Sequence, residues 1–150
     1  MTTKPKDESS TEEYQEPRFA IDLKTIEAQG RMPTVILASR MCAASKAKLK
    51  SPEAVHEMSF AQLRKLIRQN CRKDPEYLSP HLPVMETAFR ILLASPKEPV
   101  SLSALHDQIT QLWIGLPWPR QISIESLARV LSHDSYYGMV VVEEKDRPPA

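Results

Sequence analysis

The amino-acid sequence predicts a mainly α fold. Three observations carry that expectation. Apolar residues recur at helical spacing in several separate stretches, most of these stretches open on a capping residue, and thirteen prolines with three glycines punctuate the chain between them. Only one stretch, MVVVEE at 139–144, has the valine-rich composition of a strand.

Residues 1–17 are polar and charged with a single aromatic, so they bury too little apolar surface to offset the entropy of ordering them and are expected to be a disordered tail. Asp22 is placed to cap a short helix, LKTIEAQ, which Gly30 closes. Pro33 suits the first turn of a second helix, PTVILASRMCAA, apolar on nearly every face. A lysine-rich connector, SKAKLKSPEAVHEM, leads to Ser59 and Gln62, whose spacing forms a capping box for SFAQLRKLIRQNCRK. There Phe60, Leu63, Leu66, Ile67 and Cys71 form the apolar stripe, and Arg64, Lys65, Arg68 and Arg72 are assigned to the opposite, basic face. DPEYLSPHLP, with three prolines, reads as an irregular link and sets a boundary between a helical extension (18–79) and a C-terminal domain (80–144), followed by a polar tail (145–150).

The C-terminal domain is the most regular part. PVMETAFRILLAS has apolar residues on one face and ends before Pro96 and Pro99. Ser101 caps SLSALHDQITQLW, in which Leu102, Leu105, Ile109 and Leu112 mark one face. After the loop IGLPWPRQI, Ser123 caps a third helix with Ile124, Leu127 and Leu131 inward, and Gly138 turns the chain into the valine strand.

This order (three helices, an extended link at Val100, and a strand directly after the third helix) resembles the winged helix-turn-helix. Within it, PVMETAFRILLAS, VSLSALHDQI and SIESLARVLSHDSYYGMVVVEE are similar in layout to the HARE-type helix-turn-helix group of transcription- and chromatin-associated proteins. The resemblance covers residues 80–144 and rests on element order and apolar pattern. It implies a winged-helix-like C-terminal domain, with the helix from Ser123 to Asp134 in the recognition position and Glu125, Ser126, Arg129, Ser132 and His133 as its exposed candidates. Arg129 is the one firm positive charge among them, and Glu143, Glu144 and Asp146 stand where a wing would meet phosphate.

The charge needed for phosphate lies elsewhere. Although the formal net charge is only +1, residues 40–73 hold nine Lys or Arg against two Glu. The electrostatic footprint for nucleic acid is therefore Lys46, Lys48, Lys50, Arg64, Lys65, Arg68, Arg72 and Lys73, with Arg129 on the third C-terminal helix. The expected function is that of a non-enzymatic, transcription-related accessory protein whose basic region contacts nucleic acid or a nucleoprotein machine. The alternative is a protein-interaction module that uses the acidic winged-helix surface or the exposed Trp118 in WIGLPWP, with the basic helix merely solvated; Trp113 is expected to close its own core.

Several chemistries are not expected. Three isolated glycines make no phosphate-cradling loop. His106–Asp107 and His133–Asp134 are helical neighbours whose side chains diverge, so no catalytic dyad is read from them. Two cysteines and scattered histidines (His56, His81, His106, His133) do not compose a metal site, and no cofactor or small-molecule substrate is expected. Cys42 and Cys71 read as buried small residues in a reducing compartment, and without a run of about 18 apolar residues or a leader-like apolar segment the expectation is a cytoplasmic protein with no membrane association.

Overall fold

The computed structural model describes residues 16–142. The expectations for 1–15 and for Glu143, Glu144 and Asp146 onward lie outside the described residues. Glu16 and Pro17, assigned to the tail, are held: the Glu16 carboxylate accepts from Ser103 N (3.0 Å) and Ser103 Oγ (2.9 Å), and Pro17 O accepts from Leu102 N (2.9 Å).

The chain then forms β1 (Arg18–Ile21), α1 (Leu23–Ala28), α2 (Pro33–Ala38), α3 (Ala43–Lys46), a 3-10 helix (Pro52–Glu57), α4 (Phe60–Asn70), α5 (Val84–Ala94), β2 (Val100–Ser101), α6 (Leu102–Trp113), α7 (Ile124–Ser132) and β3 (Met139–Val141). The mainly α expectation holds, with about half the described residues helical. The caps read from the sequence are made. Asp22 accepts from Lys24 N, Ser59 and Gln62 bond reciprocally, and the Ser101 and Ser123 hydroxyls accept from Ala104 N and Ser126 N. The second helix is shorter than its apolar run: it stops at Ser39, whose hydroxyl turns back to Ile36 O (2.7 Å), and the chain restarts as α3 after Cys42.

The sheet is larger than the single strand expected. Its order is β2–β1–β3, antiparallel throughout, so the middle strand comes from the segment read as purely helical. In the register, Phe19 faces Val100 on one side and Val141 on the other, while Ile21 pairs with Met139. Phe19 and Ile21 point into the core at the two-residue period of a strand. Gly138, the residue before β3, has φ +75°, where an added Cβ would stand 2.5 Å from Ile26 Cγ1; its carbonyl accepts from Asp22 N (2.8 Å).

One contiguous apolar core joins both halves of the chain, running from Phe19, Ile26 and Leu37 through Leu63, Ile67, Phe89 and Leu92 to Leu105, Ile109, Leu127, Leu131 and Met139. The proline-rich link between α4 and α5 is irregular, as expected, but it is fastened by Tyr77, which is buried and donates to Arg90 O (2.8 Å). Among the described residues no helix is long and apolar enough to cross a membrane.

Candidate nucleic-acid interface

Two short segments carry the basic residues, and the fold clamps them together. The Ser45 hydroxyl donates to Leu66 O (3.1 Å) and lies 3.0 Å from Cys71 Sγ, fixing α3 on the last turns of α4. Cys42 and Cys71 are joined as a disulfide, their Cα atoms 5.6 Å apart. This corrects the reading of two unpaired thiols: a separation of 29 residues along the chain says nothing once α3 packs against the end of α4. It also removes the cysteine argument for a reducing compartment.

On this clamped pair Lys46, Lys48 and Lys50 are exposed on α3 and the connector after it, and Lys65, Arg72 and Lys73 are exposed on α4 and just beyond its end. Two members of the expected basic face are placed differently. Arg64 is only 8% exposed. Its guanidinium donates to Leu92 O (2.7 Å) and Leu93 O (3.2 Å), two of the last-turn carbonyls that have no i+4 amide in the helix, the first of which also accepts from the Ser95 amide (3.3 Å), and it pairs with Glu98 at 2.8 Å. The same Glu98 oxygen accepts from Ile21 N (3.0 Å), so Arg64 ties α4 to the end of α5 and, through Glu98, to β1. The helical wheel gives the reason. Position 64 is four after Phe60, three before Ile67 and seven before Cys71, which puts it within the apolar stripe and not opposite it.

Arg68, one turn further, is half-buried, and its Nε is sealed from solvent without a hydrogen-bond partner. Burial, and then the neighbouring Arg64 charge, hold its guanidinium below the usual arginine range, while Glu98 opposes them. Arg129 is exposed in the last turn of α7, a helix that packs on α6 and β3, and not among those that form the clamped pair. The loop after α6 exposes Ile114 and Trp118, the latter at 79%. Beside it runs a groove of about 560 Å³ lined by Trp113, Leu116, Pro119, Arg120 and Ile122. Arg120 braces the loop by donating to Pro80 O (2.7 Å) and Leu82 O (3.0 Å) and stacking 4.3 Å from the Trp113 ring. Trp113 itself is buried, in keeping with a core role.

A buried ionic cluster escaped the sequence reading. Glu86 on α5 receives Arg40 through Nε (2.8 Å) and Nη2 (2.9 Å), Arg90 through Nε (2.7 Å), and the Tyr137 hydroxyl (2.9 Å). Burial works against charge on Glu86, but the hydrogen bonds from Arg40, Arg90 and Tyr137 outweigh it and hold the carboxyl below its ordinary value. Burial and the bond to Glu86 together push the Tyr137 hydroxyl up to about 12. Only the Glu86–Arg90 pair, at i and i+4, left a trace in the sequence. The histidines on the C-terminal helices are committed to the backbone, His106 Nε2 lying 2.7 Å from Ile122 O and His133 Nδ1 2.8 Å from Arg129 O. Asp134 accepts from the amides of Tyr136, Tyr137 and Met139 and so shapes the turn into β3. Among the described residues no three His, Cys, Asp or Glu side chains converge as metal ligands.

Comparison of the chain with protein-family models, with curated proteins and with solved structures finds no match in any of the three.

Proposed function

We propose that the protein is a non-enzymatic accessory protein that binds the phosphate backbone of a nucleic acid, within transcription, through Lys46, Lys48, Lys50, Lys65, Arg72 and Lys73. One observation carries this reading: these six exposed cations sit on two segments that Ser45 and the Cys42–Cys71 pair hold side by side. Segments already held side by side need little further ordering of their backbone on meeting phosphate, and phosphate contacts supply most sequence-independent affinity. Arg64 drops out of the binding set because its donors are spent inside the protein, and Arg68 contributes at most its outer nitrogens.

The order α5, β2, α6, α7, β3 supports a winged-helix-like layout, with β1 as the additional strand of its sheet. α7 offers Arg129 as its one cation, so its part is to orient and the basic clamp supplies the affinity.

Fluorescence anisotropy with labelled duplex DNA and RNA tests it. Binding is expected at about 50 mM salt and should weaken by roughly a thousandfold toward 200 mM if all six cations engage. The triple reversal Lys65→Glu, Arg72→Glu, Lys73→Glu should abolish it while the circular dichroism spectrum is unchanged. No binding to either probe at the lower salt overturns the proposal.

The second reading, protein docking, is favoured by the exposure of Trp118 and Ile114 beside the Trp113–Arg120 groove. On that reading Trp118→Ala removes a co-purifying protein without changing stability, and a chain that is monomeric and brings down nothing excludes it.

A further inference from the structure

The two sulfurs of the Cys42–Cys71 pair are not equivalent. Cys71 is fully buried, whereas Cys42 retains 8% exposure and borders a groove of about 280 Å³ between Arg40, Lys46, Glu76, Tyr77 and Arg90. Cys71 Sγ accepts from Cys42 N (3.3 Å) and lies 3.0 Å from the Ser45 hydroxyl. Cys71 Sγ thus faces one N–H and a hydroxyl that gives its proton to Leu66 O in the closed disulfide and can rotate it to a thiolate, which makes Cys71 the better sulfur on which to place negative charge. The groove has three cations against Glu76, with Glu86 behind Arg40 and Arg90, which leaves it one positive charge in excess.

We propose that this pair is a thiol–disulfide exchange site, entered at Cys42 from the Arg40–Lys46–Arg90 groove by a small anionic thiol, with Cys71 as the leaving sulfur. The thiolate of the small thiol attacks Cys42 Sγ. A new S–S bond forms there, the Cys42–Cys71 bond breaks, and its electron pair passes to Cys71, whose thiolate is met by the Ser45 hydroxyl and the Cys42 N–H before it takes a proton from water. A second small thiolate then attacks the outer sulfur of the mixed disulfide, releasing the oxidised small disulfide and leaving Cys42 as a thiolate. In sum, the protein disulfide is reduced to two thiols while two small thiols are oxidised to one disulfide. In a thiol-rich compartment the pair therefore answers to the redox poise of the small-thiol pool. Opening the pair removes one of the two ties that hold α3 on α4 and leaves the Ser45–Leu66 bond as the other, while the exchange chemistry itself requires no nucleic acid.

Folded wild-type protein treated with reduced glutathione, quenched in acid and mapped by peptide mass spectrometry, tests the order of attack. The expected product is a glutathione adduct on Cys42 with Cys71 free, and a rate that exceeds that of the cationic thiol cysteamine by roughly threefold or more after correction for thiolate fraction. In Cys71→Ser, the lone Cys42 should react with glutathione disulfide in the folded state; in Cys42→Ser, Cys71 should react only after denaturation. An adduct predominantly on Cys71, opening that requires denaturant, or a cysteamine rate equal to that of glutathione overturns the proposal.

Discussion

Replacing Arg64 with Met keeps most of the side-chain volume and removes the charge. In the folded protein this leaves the Leu93 carbonyl without its side-chain donor and Leu92 O with the Ser95 amide alone at the end of α5, and takes from Glu98 its ion-pair partner in a site where both ionic side chains are mostly withdrawn from solvent, at 10% and 18% exposure. Breaking a buried ion pair from one side costs about 3–5 kcal/mol, because the stranded charge keeps its desolvation penalty. For a domain of this size that corresponds to a fall in Tm of roughly 10 °C or more. Urea denaturation followed by circular dichroism measures the free energy directly, and the double variant Arg64→Met with Glu98→Gln should recover part of the loss, because no carboxylate is then left unpaired. A loss below about 1 kcal/mol, the range of exposed pairs, would refute the structural role assigned to Arg64 and return it to the nucleic-acid-binding set.

Three further outcomes are expected. Glu86 has a depressed folded-state pKa, so its contribution is present above the ordinary glutamate value and is lost as pH falls through the lower folded one; Glu86→Gln should cost about 3 kcal/mol at neutral pH and flatten the acid limb of stability against pH, and an unchanged acid limb counts against the cluster. Tyr137 has a raised folded-state pKa, so its stabilisation is complete below the ordinary tyrosine value and is lost as pH rises toward about 12; ultraviolet titration should show one phenol titrating there that disappears in Tyr137→Phe. Gly138→Ala meets both a left-handed backbone and Ile26 Cγ1, and should cost on the order of 1–3 kcal/mol by denaturant titration; a neutral effect would mean that the turn has a second conformation.

The parts legible in the sequence were those that local chemistry decides. Ser59 with Gln62, Ser101 and Ser123 announce their helices because a cap needs only the three residues after it. RFAI did not announce β1: four residues give a single inward pair, Phe19 and Ile21, and the partners that make them a strand lie at Val100 and Met139–Val141. The basic region was legible as composition but not as surface. Lys65 and Arg72 stayed outside, while Arg64 was drawn in because the wheel places it with Phe60 and Ile67 and because the end of α5 happened to need a donor there, a need set by tertiary packing. The meetings of Arg40 with Glu86 and of Cys42 with Cys71 are likewise products of helix packing, invisible to any rule of spacing.

The central position of β1 also sets an order of events during synthesis. This strand leaves the ribosome before every helix it will rest on, and both of its hydrogen-bonding edges wait for β2 and then β3. The helices can form and begin to collapse early, since their contacts are largely local, but the sheet closes only when Met139–Val141 has emerged. Once β2 has taken one edge of β1, the other stays open until that point, so that the last strand made closes the edge of the first.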